Sequence, residues 1–151
     1  MVIAAGAFII ALILVLACLS LTVKGWTRGL TTNFAATSDG DQEPRLHPIV
    51  SPEPALKLAE VVAAAAQKIA GWELISREET DQETTLRLVR TTRLLGFKDD
   101  ITVHIRPLKD PPEPPSHEIS AESQSRVGKG DFGQNRRNLV ELMDMIRALL
   151  R

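Results

Sequence analysis

The sequence predicts an α+β protein: an N-terminal transmembrane helix, then a small αββββα domain whose antiparallel sheet is covered by two helices. Three observations carry this. An uncharged apolar run fills Val2 to Val23, two stretches repeat apolar residues at helical spacing, and between those stretches several runs alternate at the period of a strand. The implied division is an anchor over 1–24, a spacer over 25–45 and a folded domain over 46–151.

The apolar run has 22 residues, about 33 Å as a helix, which suffices for a hydrocarbon core of about 30 Å. Lys24 and Arg28 end it, with Trp26 as an interfacial aromatic. A cleaved signal peptide would need a basic start and a shorter apolar core, so the run reads as an uncleaved single-pass anchor in the lipid bilayer. Val15-Leu16-Ala17-Cys18 faintly resembles a lipoprotein cleavage box, but the apolar run continues beyond Cys18. A lipoprotein and a buried soluble helix are the alternatives. The basic residues lie C-terminal to the run, which favours a cytoplasmic domain, although two charges do not decide the side.

From Thr27 to Pro54 apolar periodicity disappears and turn formers and prolines take over, the composition of an extended tether. His47-Pro48-Ile49-Val50 can pack against the domain as a strand. Ser51-Pro52-Glu53 then has the form of a helix start. A helix is expected from about 53 to 70, with Leu56, Ala59, Val62, Ala63, Ala66, Ile69 and Ala70 on one face and Gly71 as its stop.

The strands follow. Trp72–Ser76 is the first, ended by an acidic turn, and Thr84–Thr91 is the second. Gly96-Phe97-Lys98-Asp99-Asp100 is expected as a bend before Ile101–Arg106, which is apolar at odd positions and polar at even ones. Pro107 to Pro115 is too rich in proline for a central strand and reads as a loop. His117–Ser125 puts Ile119, Ala121 and Ser123 on one face. The last helix carries Leu139, Leu142, Met143, Ile146, Leu149 and Leu150 at spacings of three and four, and Asp131 and Gln134 have the spacing of a capping box.

Composition excludes several functions. Net charge is −1 and aromatics make up 4% of the chain, so neither a basic field nor stacking platforms recruit nucleic acid. A single cysteine and three scattered histidines supply neither a disulfide framework nor a metal-ligand cluster. No cofactor and no metal are expected.

The candidate site is the turn between the last strand and the last helix. Backbone amides of Gly128, Gly130 and Gly133 beside a helix N-terminus can cradle an anion, with Arg126, Lys129, Arg136 and Arg137 adding charge. A phosphate-bearing headgroup, an anionic small ligand or a membrane-protein partner fits that surface. The structural alternative pairs Arg126 with Asp99, Asp100 or Asp131 and leaves Ser123, Ser125 and Asn135 to bond the backbone. The candidate ligand-binding residues are therefore Asp99, Asp100, Ser123, Ser125 and Arg126, together with Gly128, Asp131, Gly133, Asn135 and Arg136.

The Gly-Lys-Gly-Asp segment is not a phosphate-binding P-loop, since its first glycine and the hydroxyl after the lysine are missing. Adjacent aspartates in a strand face opposite ways and make a poor acid/base pair, whereas a bend could turn both toward the turn and bind a divalent ion. His104 and His117 can meet on neighbouring strands, but neither is placed as a base for Ser123 or Ser125. Catalytic residues are not identifiable.

Gly96-Phe97-Lys98-Asp99-Asp100-Ile101, and Ser123-Gln124-Ser125-Arg126-Val127-Gly128 running into Asp131-Phe132-Gly133-Gln134-Asn135-Arg136, resemble the domain of unknown function 1499 family over residues 46–151. Similar members are often bacterial envelope or photosynthetic-membrane proteins with an N-terminal anchor or lipobox. This chain lacks the cysteine-containing segment that many members carry before the domain. The resemblance implies a fold and a motif but no established activity. The expectation is a membrane-tethered, non-enzymatic accessory or ligand-binding domain. The alternative is an uncharacterised hydrolase using the Asp-Asp bend and the Ser-x-Ser-Arg-x-Gly turn.

Overall fold

The computed structural model describes residues 32–93, 96–109 and 114–151, and the expected transmembrane helix over 2–23 lies outside them. Among the described residues no helix is long and apolar enough to cross a membrane. The order is β1 (Phe34–Ala36), a 3-10 turn (Pro44–Leu46), β2 (Ile49–Ser51), α1 (Ala55–Lys68), β3 (Trp72–Glu79), β4 (Thr84–Thr91), β5 (Lys98–Pro107), β6 (His117–Ser125) and α2 (Gln134–Leu149).

All pairings are antiparallel, in the order β6-β5-β4-β3, with β1 and β2 both lying along the outer edge of β6. Leu86 and Leu88 of β4, Ile101, Val103 and Ile105 of β5, and Ile119 and Ala121 of β6 are buried on one face. The helices bring Leu58, Val62 and Ala65 from α1 and Leu139, Leu142, Met143 and Ile146 from α2 onto that core. The four long strands and two helices occur where the sequence places them, except that β3 runs on to Glu79 through residues expected in the acidic turn.

Three expectations are corrected. Part of the spacer expected over 25–45 joins the sheet: Phe34–Ala36 form β1, which pairs with β6 across Phe34/Gln124, Ala35/Ser123 and Ala36/Glu122, while Leu46, the first residue of the expected domain, is fully buried. The sheet therefore has six strands rather than four. The buried face of α1 runs through Leu58, Ala59, Val62, Ala65, Ala66 and Ile69, while Leu56 is 56% exposed and Ala70 is exposed. In an alanine-rich helix small residues occur all round, and Leu58 decides the facing. Thirdly, Asp99 and Asp100 belong to β5 instead of a bend. The chain turns earlier, where Gly96 adopts φ 67° and the Thr92 hydroxyl accepts the Phe97 amide at 2.9 Å.

The approach of α1 to the sheet rests on Gly71, at φ 86°. Its carbonyl accepts the Thr91 amide at 2.7 Å, and a Cβ there would lie 2.8 Å from the Thr91 oxygen. No other residue fits without displacing β4.

Candidate functional site

The strand alternation of β5 and β6 reaches the junction with α2 and there changes from apolar to polar. Ser123 is the register partner of Ile101, and Ser125 of Asp99, on the helix-covered side. Opposite them, Asn135 and Asn138 project from the first turns of α2. Asp99 is 2% exposed, and Ser123, Asn135 and Asn138 are fully buried. A buried polar group is tolerated only with partners, and here they satisfy one another. The Ser123 hydroxyl donates to Asn135 Oδ1 at 2.6 Å, and Asn138 Nδ2 donates to Asp99 Oδ2 at 2.8 Å and to Ser123 Oγ at 3.3 Å.

Asn135 ties this cluster to β1. Its Nδ2 donates to the Asn33 carbonyl at 2.8 Å and to Ser125 Oγ at 3.0 Å. A carbonyl can only accept, so Asn33 fixes which end of the amide faces it. The Ser125 amide donates back to the Asn33 carbonyl at 3.0 Å, the Asp131 amide to the Thr32 carbonyl at 3.2 Å, and Asn33 Nδ2 to the Gly128 carbonyl at 3.0 Å.

Asp131 caps the helix, though not as a capping box. Its carboxylate accepts the Gly133 amide at 2.8 Å and the Asn135 amide at 2.7 Å, two donors that the helix start leaves without carbonyls. The reciprocal glutamine bond is absent because Gln134 Nε2 donates to Asn138 Oδ1 at 2.7 Å instead. Gly128 and Gly133 adopt positive φ, and so does Phe132 at 52°, the sole non-glycine to do so among the described residues.

The remaining candidates lie outside this cluster. Asp100 faces the opposite side of the sheet from Asp99, as strand geometry requires. Arg126 grips it with two donors, Nη2 at 2.7 Å and Nε at 2.9 Å, and this contact raises the arginine's pKa. Arg136 binds Asp41 with two bonds of 2.7 and 2.9 Å. The hydrogen bond from Arg136 and the Glu43 amide lower the Asp41 pKa to about 2. Asp41 also sits beside His47, whose Nε2 donates to its carbonyl at 2.8 Å.

The expected single polar surface is thus split. Asp99, Ser123 and Asn135 are sealed beneath α2, while Asp100 and Arg126 are exposed on the uncovered side. His104 and His117 do not meet: His104 is opposite Ser120 and His117 opposite Pro107, three register steps apart and on different faces. His104 instead approaches Glu83 at 3.4 Å, and Arg106 binds the same carboxylate at 2.6 Å, which lowers its pKa. Beside them on the uncovered face lies a shallow depression of about 200 Å³, lined by Ala36, Thr37, His104, Arg106, Ser120, Ala121 and Glu122.

Asn33, Asp41 and Asn138 are residues the sequence did not single out. Asn138 follows Asn135 by three on the buried side of an amphipathic helix, and a polar residue inside an apolar stripe was the available signal.

A family model described as protein of unknown function, DUF1499, matches residues 27–146. The chain belongs to this family. No curated protein matches it. The DUF1499 match begins before β1 and includes Thr32, Asn33 and Asp41, N-terminal residues that the β6–α2 junction holds.

Proposed function

We propose that this DUF1499 chain is a membrane-tethered, non-enzymatic accessory domain, anchored through residues 2–23, whose polar junction locks a loop in place for contact at the membrane. One observation carries the reading: the hydrogen-bonding capacity of Ser123, Asn135, Asn138 and Asp131 is spent within the protein. Two of the four candidate cations are likewise engaged, Arg126 by Asp100 and Arg136 by Asp41, whereas Lys129 and Arg137 form no ion pair among the described residues. An anionic small ligand at Arg126 or Arg136 would have to displace a carboxylate. The surface available to a ligand or a membrane-protein partner is the exposed part of the loop, around Arg126 and Gly128.

The hydrolase alternative needs Asp99 and Asp100 to act together near Ser123. They face opposite sides of β5, and the Ser123 hydroxyl is committed to an amide oxygen rather than a base. The test uses the full chain in membranes. Alkaline carbonate should leave it in the pellet, and an ester and phosphoester panel should reveal no turnover that Asp100→Ala or Arg126→Ala abolishes. A turnover lost in both variants at unchanged melting temperature overturns the non-enzymatic reading, and release by carbonate overturns the tether.

A further inference from the structure

The described chain begins at the same end of the sheet as the glycine-rich loop, since Thr32 and Asn33 bond Asp131, Ser125 and Gly128 directly. Three large apolar side chains are exposed at this end: Phe132 at 70%, Val127 at 68% and Phe97 at 52%. The Arg126 amide donates to the Lys98 carbonyl at 3.1 Å, so the β5–β6 ladder continues to the residues next to Phe97 and Val127. Phe132 holds its exposed ring from a left-handed backbone position, strained for an aromatic. Isolated surface apolar residues need no explanation, but three exposed at one end of the sheet do.

The charges at this end are lopsided. Lys98, Lys129 and Arg137 are exposed there, and none forms an ion pair among the described residues. Arg137 bonds only neutral groups, the Phe132 carbonyl and Gln134 Oε1, both at 3.0 Å. The carboxylates of β5 and the loop are buried, paired with Arg126 or bonded to amides. At the far end the last residues of β3 and the turn after it carry Glu78, Glu79, Asp81 and Glu83, of which Glu79 is paired with Arg77 and Glu83 with Arg106. Eight-residue strands separate the two ends by about 27 Å, more than two Debye lengths at physiological salt.

The length of chain outside the description supplies the occupant. Between Val23, where the apolar run ends, and Thr32 there are the residues 24–31, which reach at most about 30 Å however they are arranged. The basic, apolar end is therefore the end to which the apolar run is joined by this short segment. We infer that the loop at 126–133, together with Phe97, seats on the anionic bilayer surface: Val127, Phe132 and Phe97 enter the interfacial layer, and Lys98, Lys129 and Arg137 face the headgroups. The acidic β3–β4 turn points away, so the domain has one preferred orientation on the membrane. This inference rests on the tether proposed above.

The test uses the full chain with Cys18→Ser, in nanodiscs with and without about 30% phosphatidylglycerol, a fraction sufficient for a strongly negative surface. Spin labels are placed at Val127→Cys and Phe132→Cys, with Thr80→Cys as control. In anionic discs the labels at 127 and 132 should be relaxed by lipid-soluble oxygen and shielded from a water-soluble reagent, while the label at 80 shows the reverse. Lys98→Glu with Lys129→Glu should shift the two loop labels toward water, by about fivefold or more in the surface equilibrium per cation removed. Loop labels as accessible to water as the one at 80, in a chain that carbonate does not release, overturn the docking and leave the tether standing. Release by carbonate removes the tether and the docking with it. Labels shielded from both reagents mean that protein covers the loop, and the bilayer is not its occupant.

Discussion

Asn135→Ala is the perturbation that most directly loads the polar junction. Asn135 is fully buried and makes three side-chain bonds, to Ser123, Ser125 and the Asn33 carbonyl. Each is worth about 1 kcal/mol net. The loss also strands the Ser123 hydroxyl, whose oxygen already accepts from Asn138 and whose proton then has no acceptor. The sum is about 3 kcal/mol, or a fall in melting temperature of roughly 12 °C for a domain of this size. Asn135→Asp keeps the shape but removes both donors and buries a charge, so it should cost at least as much. Ser125→Ala loses one bond and should cost about 1 kcal/mol. Urea denaturation of residues 27–151, followed by the fluorescence of Trp72, measures all three. A loss under about 1 kcal/mol for Asn135→Ala, or an ordering in which Ser125→Ala costs most, refutes the reasoning.

Leu46→Ala should cost about 2–5 kcal/mol, the usual range for a fully buried leucine, and a loss near zero would return residues before 46 to the role of a spacer. Gly71→Ala should destabilise by about 2–3 kcal/mol, because φ 86° and a backbone oxygen at 2.8 Å both oppose a Cβ; thermal melting reads it. The Asp41 carboxylate, held at about 2 by the hydrogen bond from Arg136, has a depressed folded-state pKa. Its stabilisation is therefore present above the ordinary carboxylate range and lost as pH falls from about 4 to about 2. With Arg136 half exposed, about 1 kcal/mol is a fair magnitude. The urea-midpoint gap between wild type and Asp41→Asn should close over that interval, and a gap that is constant with pH contradicts the pairing.

The parts of the fold legible in the sequence were those with enough residues to express a period. Ile101–Arg106 and the Leu139–Leu150 stripe repeat often enough to fix both element type and facing. β1 and β2 have three residues each, too few for alternation to register, and their strand character comes from the exposed edge of β6. The composition of residues 34–46 favours turns, and tertiary pairing overrode it. In α1 the alanines gave a helix without a unique face. At the junction, residue type indicated polarity and tight turning, but burial distinguished a closed cluster from an open cradle. Ser123 and Asn135 bear the same chemistry in either case. Only the packing of α2 over them, and the arrival of Asn33 from a segment more than 100 positions away in sequence, decides the matter. The Asp99-Asp100 pair was legible in a limited sense: strand parity separates the two side chains, and the turn chemistry at Gly96 and Thr92 keeps them in the strand.

The central claim is that the β6–α2 loop is closed and held rigidly against the N-terminal strand. Native-state hydrogen exchange at the Ser125, Asp131 and Asn135 amides tests it, since these donate to the Asn33 carbonyl, the Thr32 carbonyl and the Asp131 carboxylate. Exchange slowed toward that of the central β5 amides is the predicted result. Exchange of Asp131 and Asn135 as fast as the surface turn at 80–83 would contradict it, and would make the loop an open, mobile segment.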